Sequence, residues 1–226
     1  MPLTLSHGEQ PQVDLEVKRS HFLGRAERTD DEEAARAFIA RIRAAHPDAR
    51  HHCSAFVVDA PGARQVERSN DDGEPSGTAG QPMLEVLRGT GLTNTTVVVT
   101  RYFGGTLLGT GGLVRAYSQA TAQALAAATR VRLERRHLWE LRTPVSQAGR
   151  LEAGLRNPGA TRGHPESVGS VGGLTVEETR WGSTHAVVVV STNSPDPRPL
   201  GELLASLTQG RVTPEPAGSR VVERPL

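Results

Sequence analysis

The chain is poor in several residue types, and each shortage narrows what it can be. One cysteine, Cys53, rules out an internal disulfide framework and any Cys-x-x-Cys pair for zinc or redox work. Aromatic residues make up only 4 % of the 226 residues, and there is one lysine, Lys18, against 25 arginines. Such a bias often follows genome base composition, so arginine richness alone is weak grounds for nucleic-acid binding. No run of 18 apolar residues occurs, and the opening MPLTLSHGEQPQVDLEVKRSHF lacks the basic-then-apolar order of a secretory signal. A cytoplasmic protein without membrane contact is expected. The net charge of +1 announces no polyanion partner, although Arg101, Arg115, Arg130, Arg132, Arg135 and Arg136 face a single acid, Glu134, within one stretch.

The length suits two compact domains, and the pattern places a boundary after Arg136, giving domains 1–136 and 137–226. In the first, Phe22 to Ala26 reads as a strand. Thr29-Asp30-Asp31-Glu32 then reads as a capping box for a helix that carries Ala34, Ala35, Phe38, Ile39, Ile42 and Ala45 on one face and stops at His46-Pro47. Cys53–Val58, a turn at Asp59–Gly62 and Arg64–Arg68 read as a hairpin. Asn70 to Gly80 is a long loop, Pro82–Leu87 a short helix, Thr95–Thr100 a buried strand, and Leu113 to about Thr129 an alanine-rich helix. The arginine-rich segment up to Arg136 reads as a linker or exposed strand start. Beyond it come a strand at Leu138–Arg142, a helix at Ser146–Leu155, strands at Leu174–Glu178 and His185–Ser191, a helix at Pro199–Leu207 and a strand near Arg211–Pro214. That β-α-β-β-α-β order predicts a ferredoxin-like plait, and the fold class is α+β. No cluster with catalytic spacing appears in this half.

The chemistry-bearing residues concentrate between Asn70 and Tyr117. A strand, a glycine-rich loop (Gly104, Gly105, Gly109, Gly111, Gly112) and a helix follow one another, flanked by Arg101 and Arg115. Glycines let a backbone approach a ligand, free amides at a helix start attract anions, and the guanidinium fork suits phosphate. This predicts a phosphate- or RNA-binding loop, with Tyr102 and Tyr117 as further contacts. At least one of Tyr102 and Phe103 is expected in the core, because strand side chains alternate. The P-loop pattern fails at Thr110-Gly111, and the dinucleotide pattern fails at Val114. The acidic loop Asp71, Asp72, Glu74, Ser76, Thr78 offers three carboxylates in four residues. They are candidates for a weak Mg²⁺ site or for pairing with Arg101 or Arg115; no other cofactor is indicated. His51-His52-Cys53 cannot converge on one ion from a strand, although one histidine with Cys53 could. A Cys53 nucleophile would need a basic partner.

SNDDGEPSGTAGQPMLEVL and VVVTRYFGGTLLGTGGLVRAYSQA closely resemble the YigZ/IMPACT family, a likeness running from Arg19-Ser20-x-Phe22 through Asp48 to Cys53 and on to about Ala128, and the C-terminal half, beginning TPVSQAGRLE, resembles the second domain of the bacterial members. The resemblance implies a first domain similar to part of a small-subunit ribosomal protein and to domain IV of elongation factor G. It implies a second domain similar to that factor's last, ferredoxin-like domain. It also implies a link to translation, because eukaryotic relatives regulate translation by competing for the co-activator of a kinase that senses uncharged tRNA. Their partner-binding extension has no counterpart here, so that role is not carried over. The family's motifs fall on Asp71, Asp72, Gly73, Glu74, Pro75, Gly77, Thr78, Arg101, Tyr102, Gly104, Gly105, Gly109, Gly111, Gly112, Arg115 and Tyr117. Leu107 stands where some members carry lysine, which takes away one possible phosphate ligand.

Three functions follow as expectations. The leading one is a noncatalytic protein that binds RNA, the ribosome or a translation-related protein, with no DNA specificity. The second is a Mg²⁺-dependent enzyme acting on a phosphorylated small molecule or nucleotide. The third is a protein-interaction module using the second domain.

Overall fold

A computed structural model describes residues 2–59, 65–157 and 171–226. The chain divides into two units, Met1–Leu133 with Glu223–Leu226, and Glu134–Val222.

In the first unit, β1 (Leu3–Leu5) and β2 (Val13–Val17) precede β3 (Ser20–Arg28), α1 (Glu32–Ala45), β4 (His51–Val58) and β5 (Val66–Asn70). Then come α2 (Gly80–Gly89), β6 (Thr95–Tyr102), α3 (Thr110–Ala127) and the start of β7 (Arg130–Pro144). Five strands form a sheet in the order β2-β3-β6-β4-β5, every neighbouring pair antiparallel. The two central strands read as continuous apolar or β-branched runs, TTVVVT and CSAFVV, and such runs need cover on both faces. They receive it. Cys53, Ala55, Val57, Val97 and Val99 pack with Met83, Leu87, Leu113 and Ala120 of α2 and α3, while Phe56, Val58 and Val98 pack under Ala35, Phe38 and Ile42 of α1.

Several expectations are corrected. The α1 cap is Asp31, whose carboxylate accepts from the Ala34 amide at 2.7 Å. Thr29 instead shares a 2.7 Å hydroxyl bond with Thr96 in the interior. The hairpin partner is β5, beginning at Val66, because Val58 registers with Val66 and Ser54 with Asn70. Residues 60–62 of the predicted turn, and Arg64, lie outside the described residues. The arginine-rich segment is no linker. It is the first part of the 15-residue β7, whose arginines alternate with buried Val131 and Leu133, and Arg130 to Arg132 pair with β1. The division between the units therefore falls inside a strand.

The second unit continues β7 into α4 (Val145–Arg156), β8 (Thr175–Trp181), β9 (His185–Thr192), α5 (Arg198–Thr208) and β10 (Glu215–Pro225). β9 lies between β7 and β8, antiparallel to both, and β10 pairs with the other side of β7. The order β10-β7-β9-β8 is that of the split β-α-β plait expected from the sequence. Trp139, Leu141, Val188 and Val190 from the sheet meet Leu151, Leu155, Leu200, Leu203 and Leu204 from the helices. The final strand starts at Glu215, not Arg211, and its mostly exposed EPAGSRVVERP lacks the apolar run that marks a buried strand.

Candidate functional site

The acidic loop is fastened to its surroundings residue by residue. Asp71 accepts from the amides of Gly77 (2.8 Å), Ala79 (3.0 Å) and Gly80 (2.8 Å), so it caps α2 from outside the helix. Burial alone would raise its pKa, but these amide bonds outweigh that and lower it. Asp72 accepts from Arg43 (2.6 Å) and from the His52 amide (2.7 Å), and its carboxyl is likewise held low against the opposing effect of burial. The carbonyls of Asp72 and Asp71 bond His51 Nδ1 (2.8 Å) and Cys53 Sγ (3.0 Å), stitching the loop to the start of β4. Thr78 turns back onto the Pro75 carbonyl, and Ser76 stays exposed.

Glu74 points inward and is only 8 % exposed. One carboxylate oxygen accepts from Arg101 Nη1 at 2.7 Å and from the Tyr117 hydroxyl at 2.8 Å. Arg101, 7 % exposed, lies between the rings of Phe22 and Phe103, at 5.5 and 5.6 Å. Tyr117 is fully buried edge-on against Phe22. Burial first, then its neighbours Cys53 and Glu74, hold its phenol protonated.

Several sequence expectations change here. Asp71, Asp72 and Glu74 turn to three different sets of partners, and among the described residues no group of three His, Cys, Asp or Glu side chains could hold a metal ion. The carboxylates fasten the loop. Tyr117 cannot stack on a ligand, because its ring fills the core. Neither Tyr102 nor Phe103 is a core residue: Arg101 takes the inward position, Tyr102 is half-buried with its hydroxyl 3.0 Å from His46, and Phe103 lies beyond the strand end, 52 % exposed. Nor does Cys53 meet a base. Its thiol bonds a carbonyl, burial pushes its pKa up to about 12, and the adjacent His52 faces the other layer, where it donates to the His46 carbonyl.

The glycine loop presents the opposite picture. Gly104 is structural, since a β-carbon there would sit 2.0 Å from the Arg19 carbonyl carbon, and its amide donates to Ser20 Oγ. Gly105 and Gly109 adopt positive φ, 84° and 69°. Gly109 is the α3 N-cap and offers no side chain, so the first-turn amides of an 18-residue helix are left without a side-chain cap. Arg115, one turn further on, is exposed and has no ion-pair partner among the described residues. Beside the loop, Arg50, His51, Arg101, Phe103 and Leu107 line a depression of about 190 Å³. Arg50 is exposed and unpaired among the described residues. Lys18 and Arg19 form the positive-φ turn between β2 and β3, and Arg19 reaches Thr106 Oγ1 at 3.2 Å. Sequence reading did not select Lys18, Arg19 and Arg50 as site residues. They lie 50 to 90 positions from the loop, and only the β3-β6-β4 pairing brings them near it.

The Impact N-terminal domain family matches residues 18–125. The chain is 56 % identical over 110 residues to IMPACT family member YigZ of Escherichia coli, covering 49 % of this chain and 54 % of that protein. It is 39 % identical over 140 residues to an IMPACT family member from Thermus thermophilus, covering 62 % and 74 %. A solved structure described only as that of a hypothetical protein aligns over 95 % of this chain and 97 % of its own, at 35 % identity and a TM-score of 0.57. The chain spans about half the length of the E. coli relative and of those from Haemophilus influenzae and Bacillus subtilis. Among the described residues no helix is long and apolar enough to cross a membrane.

Proposed function

This chain belongs to the IMPACT family, and we propose that it is a noncatalytic, translation-linked protein that holds single-stranded RNA on the glycine-loop face of its first unit. The observation that carries this reading is Phe103. A ring half open to solvent rests on a buried guanidinium, beside the exposed Arg50 and the uncapped start of α3. An unpaired base can stack on such a ring, with phosphates reaching the α3 amides and Arg115. The link to translation rests on the family resemblance seen in the sequence. The enzyme alternative lacks comparable support, because the carboxylates it would use are engaged in holding the loop.

The arrangement also dictates which variants test it. Arg101 is a buried ion-pair member, so removing it would confuse folding with binding. Phe103→Ala and the double variant Arg50→Ala, Arg115→Ala change exposed groups. In fluorescence anisotropy with a short single-stranded RNA, Phe103→Ala is expected to weaken binding about 10-fold, from the loss of one stacked base. The double variant is expected to flatten the salt dependence by about 0.7 log unit for each phosphate it no longer neutralises. Affinity and salt slope unchanged in both variants would overturn the proposal.

A further inference from the structure

We infer that the second unit carries a binding site for a phosphate group, where α4 begins and α5 stops. A depression of about 420 Å³ opens there, lined by Thr143, Ser146, Gln147, Arg150, Thr208 and Arg211 among others, with no acidic side chain among the described residues of its wall. Arg150 and Arg211 are exposed and have no ion-pair partner among the described residues. Separated by 61 positions in sequence, they line the same space.

The start of α4 adds donors. Its N-cap is Pro144, which provides no side-chain cap. The Val145 amide donates to the Thr184 carbonyl at 3.2 Å, while those of Ser146 and Gln147 belong to the first turn, where a helix supplies no partner of its own. The helix dipole reinforces their attraction for an anion.

Thr143 supplies an independent sign of a missing partner. It is 1 % exposed, on the same face of β7 as Trp139 and Leu141, and its hydroxyl has no hydrogen-bond partner among the described residues. Buried hydroxyls are normally satisfied, because leaving one unpaired is costly. Thr143 is among the residues that line the depression, and a phosphate oxygen bound there is the acceptor we assign to its hydroxyl.

One feature opposes the site: the negative end of the α5 dipole faces the same space. Part of it is already answered, as the Ala205 and Thr208 carbonyls accept from the amides of Gly210 and Arg211. The depression also has the size of a small-molecule site, and Leu151 and Leu207 give it an apolar wall. A phosphate ester of a small molecule fits this mixture better than bare phosphate, which would leave the leucines uncovered.

The test is an amide-shift titration by two-dimensional NMR on the full chain, at fixed ionic strength, with inorganic phosphate and with phenyl phosphate. Saturable shifts at Ser146 and Gln147 are expected, with Arg150→Ala, Arg211→Ala weakening binding about 10-fold or more through the loss of charge-assisted hydrogen bonds. Thr143→Val keeps the shape, removes the hydroxyl and is expected to weaken binding several-fold. Tighter binding of the ester assigns the site to phosphorylated small molecules, and tighter binding of inorganic phosphate assigns it to the free ion; either supports a phosphate site. No saturable shift at these two amides, or equal affinity in the double variant, would overturn it. Both arginines are exposed, so a thermal melt matching the native chain is expected and separates lost binding from lost folding. The site lies outside the RNA face, and neither result bears on the other.

Discussion

Two glycine-bearing loops in the first unit each lead into a helix, and they use their charges in opposite ways. Residues 71–79 enter α2 with a carboxylate already on its first amides, and Glu74 is pulled inward onto Arg101 and Tyr117. Residues 103–109 enter α3 with no side-chain cap, an exposed ring and, nearby, Arg50 and Arg115, which have no ion-pair partner among the described residues. The acidic loop is a fastening and the glycine loop has groups to spare. Charge density along a sequence is therefore a poor guide to a binding face; what counts is whether the charges are already engaged.

The comparison is tested most severely at Arg101. Its removal leaves Glu74 buried without its counter-ion, and Arg101→Ala is expected to cost about 3–5 kcal/mol in chemical denaturation. A loss near zero would mean that the inward loop is not held by this pair. Next in size is Asp71→Ala, expected to cost about 2 kcal/mol because three backbone amides lose their acceptor. The acid side of the same claim has a definite sign. Asp71 and Asp72 have lowered pKa values when folded, so their stabilisation is complete above the ordinary aspartate value of about 3.9 and is lost as pH falls through the folded values. Denaturation midpoints measured below pH 4 are expected to fall more steeply for the native chain than for Asp71→Ala.

A last contrast separates a glycine of the outward loop, Gly104, from one in the first turn of α3, Gly111. Gly104→Ala drives a methyl into the Arg19 backbone and is expected to cost about 1–3 kcal/mol, read as a lower melting temperature. Gly111→Ala meets only Arg115 Nη1, at 3.7 Å, and is expected to stabilise α3 by about 0.5 kcal/mol. Equal effects at the two positions would dissolve the distinction between a structural glycine and a free one.

The main architecture was legible because it rests on patterns that burial enforces. TTVVVT, the α1 stripe and the order of elements in the second half follow the sequence pattern, with the last strand alone lying further along, at Glu215–Pro225. What sequence could not show was direction. Glu74 looks like Asp71 and Asp72, but only folding turns it inward, because the β3-β6-β4 register sets Arg101 facing the core beside Phe22. Its place one turn after the glycine loop suits Tyr117 to a ligand, yet helical phase aims it at Phe22. β2 escapes the pattern because VDLEV alternates with acids at a sheet edge, and the last strand is placed a few residues early because an edge strand needs little apolar surface.

The single thiol has a use that follows from its confinement. Cys53 touches the Asp71 carbonyl and is fully buried, so alkylation requires the acidic loop to lift from β4. With no second cysteine to confuse the signal, its labelling rate in the native protein acts as a clock for that opening. Divided by the rate for a free thiol at the same pH, it gives the fraction of time the fastening is undone.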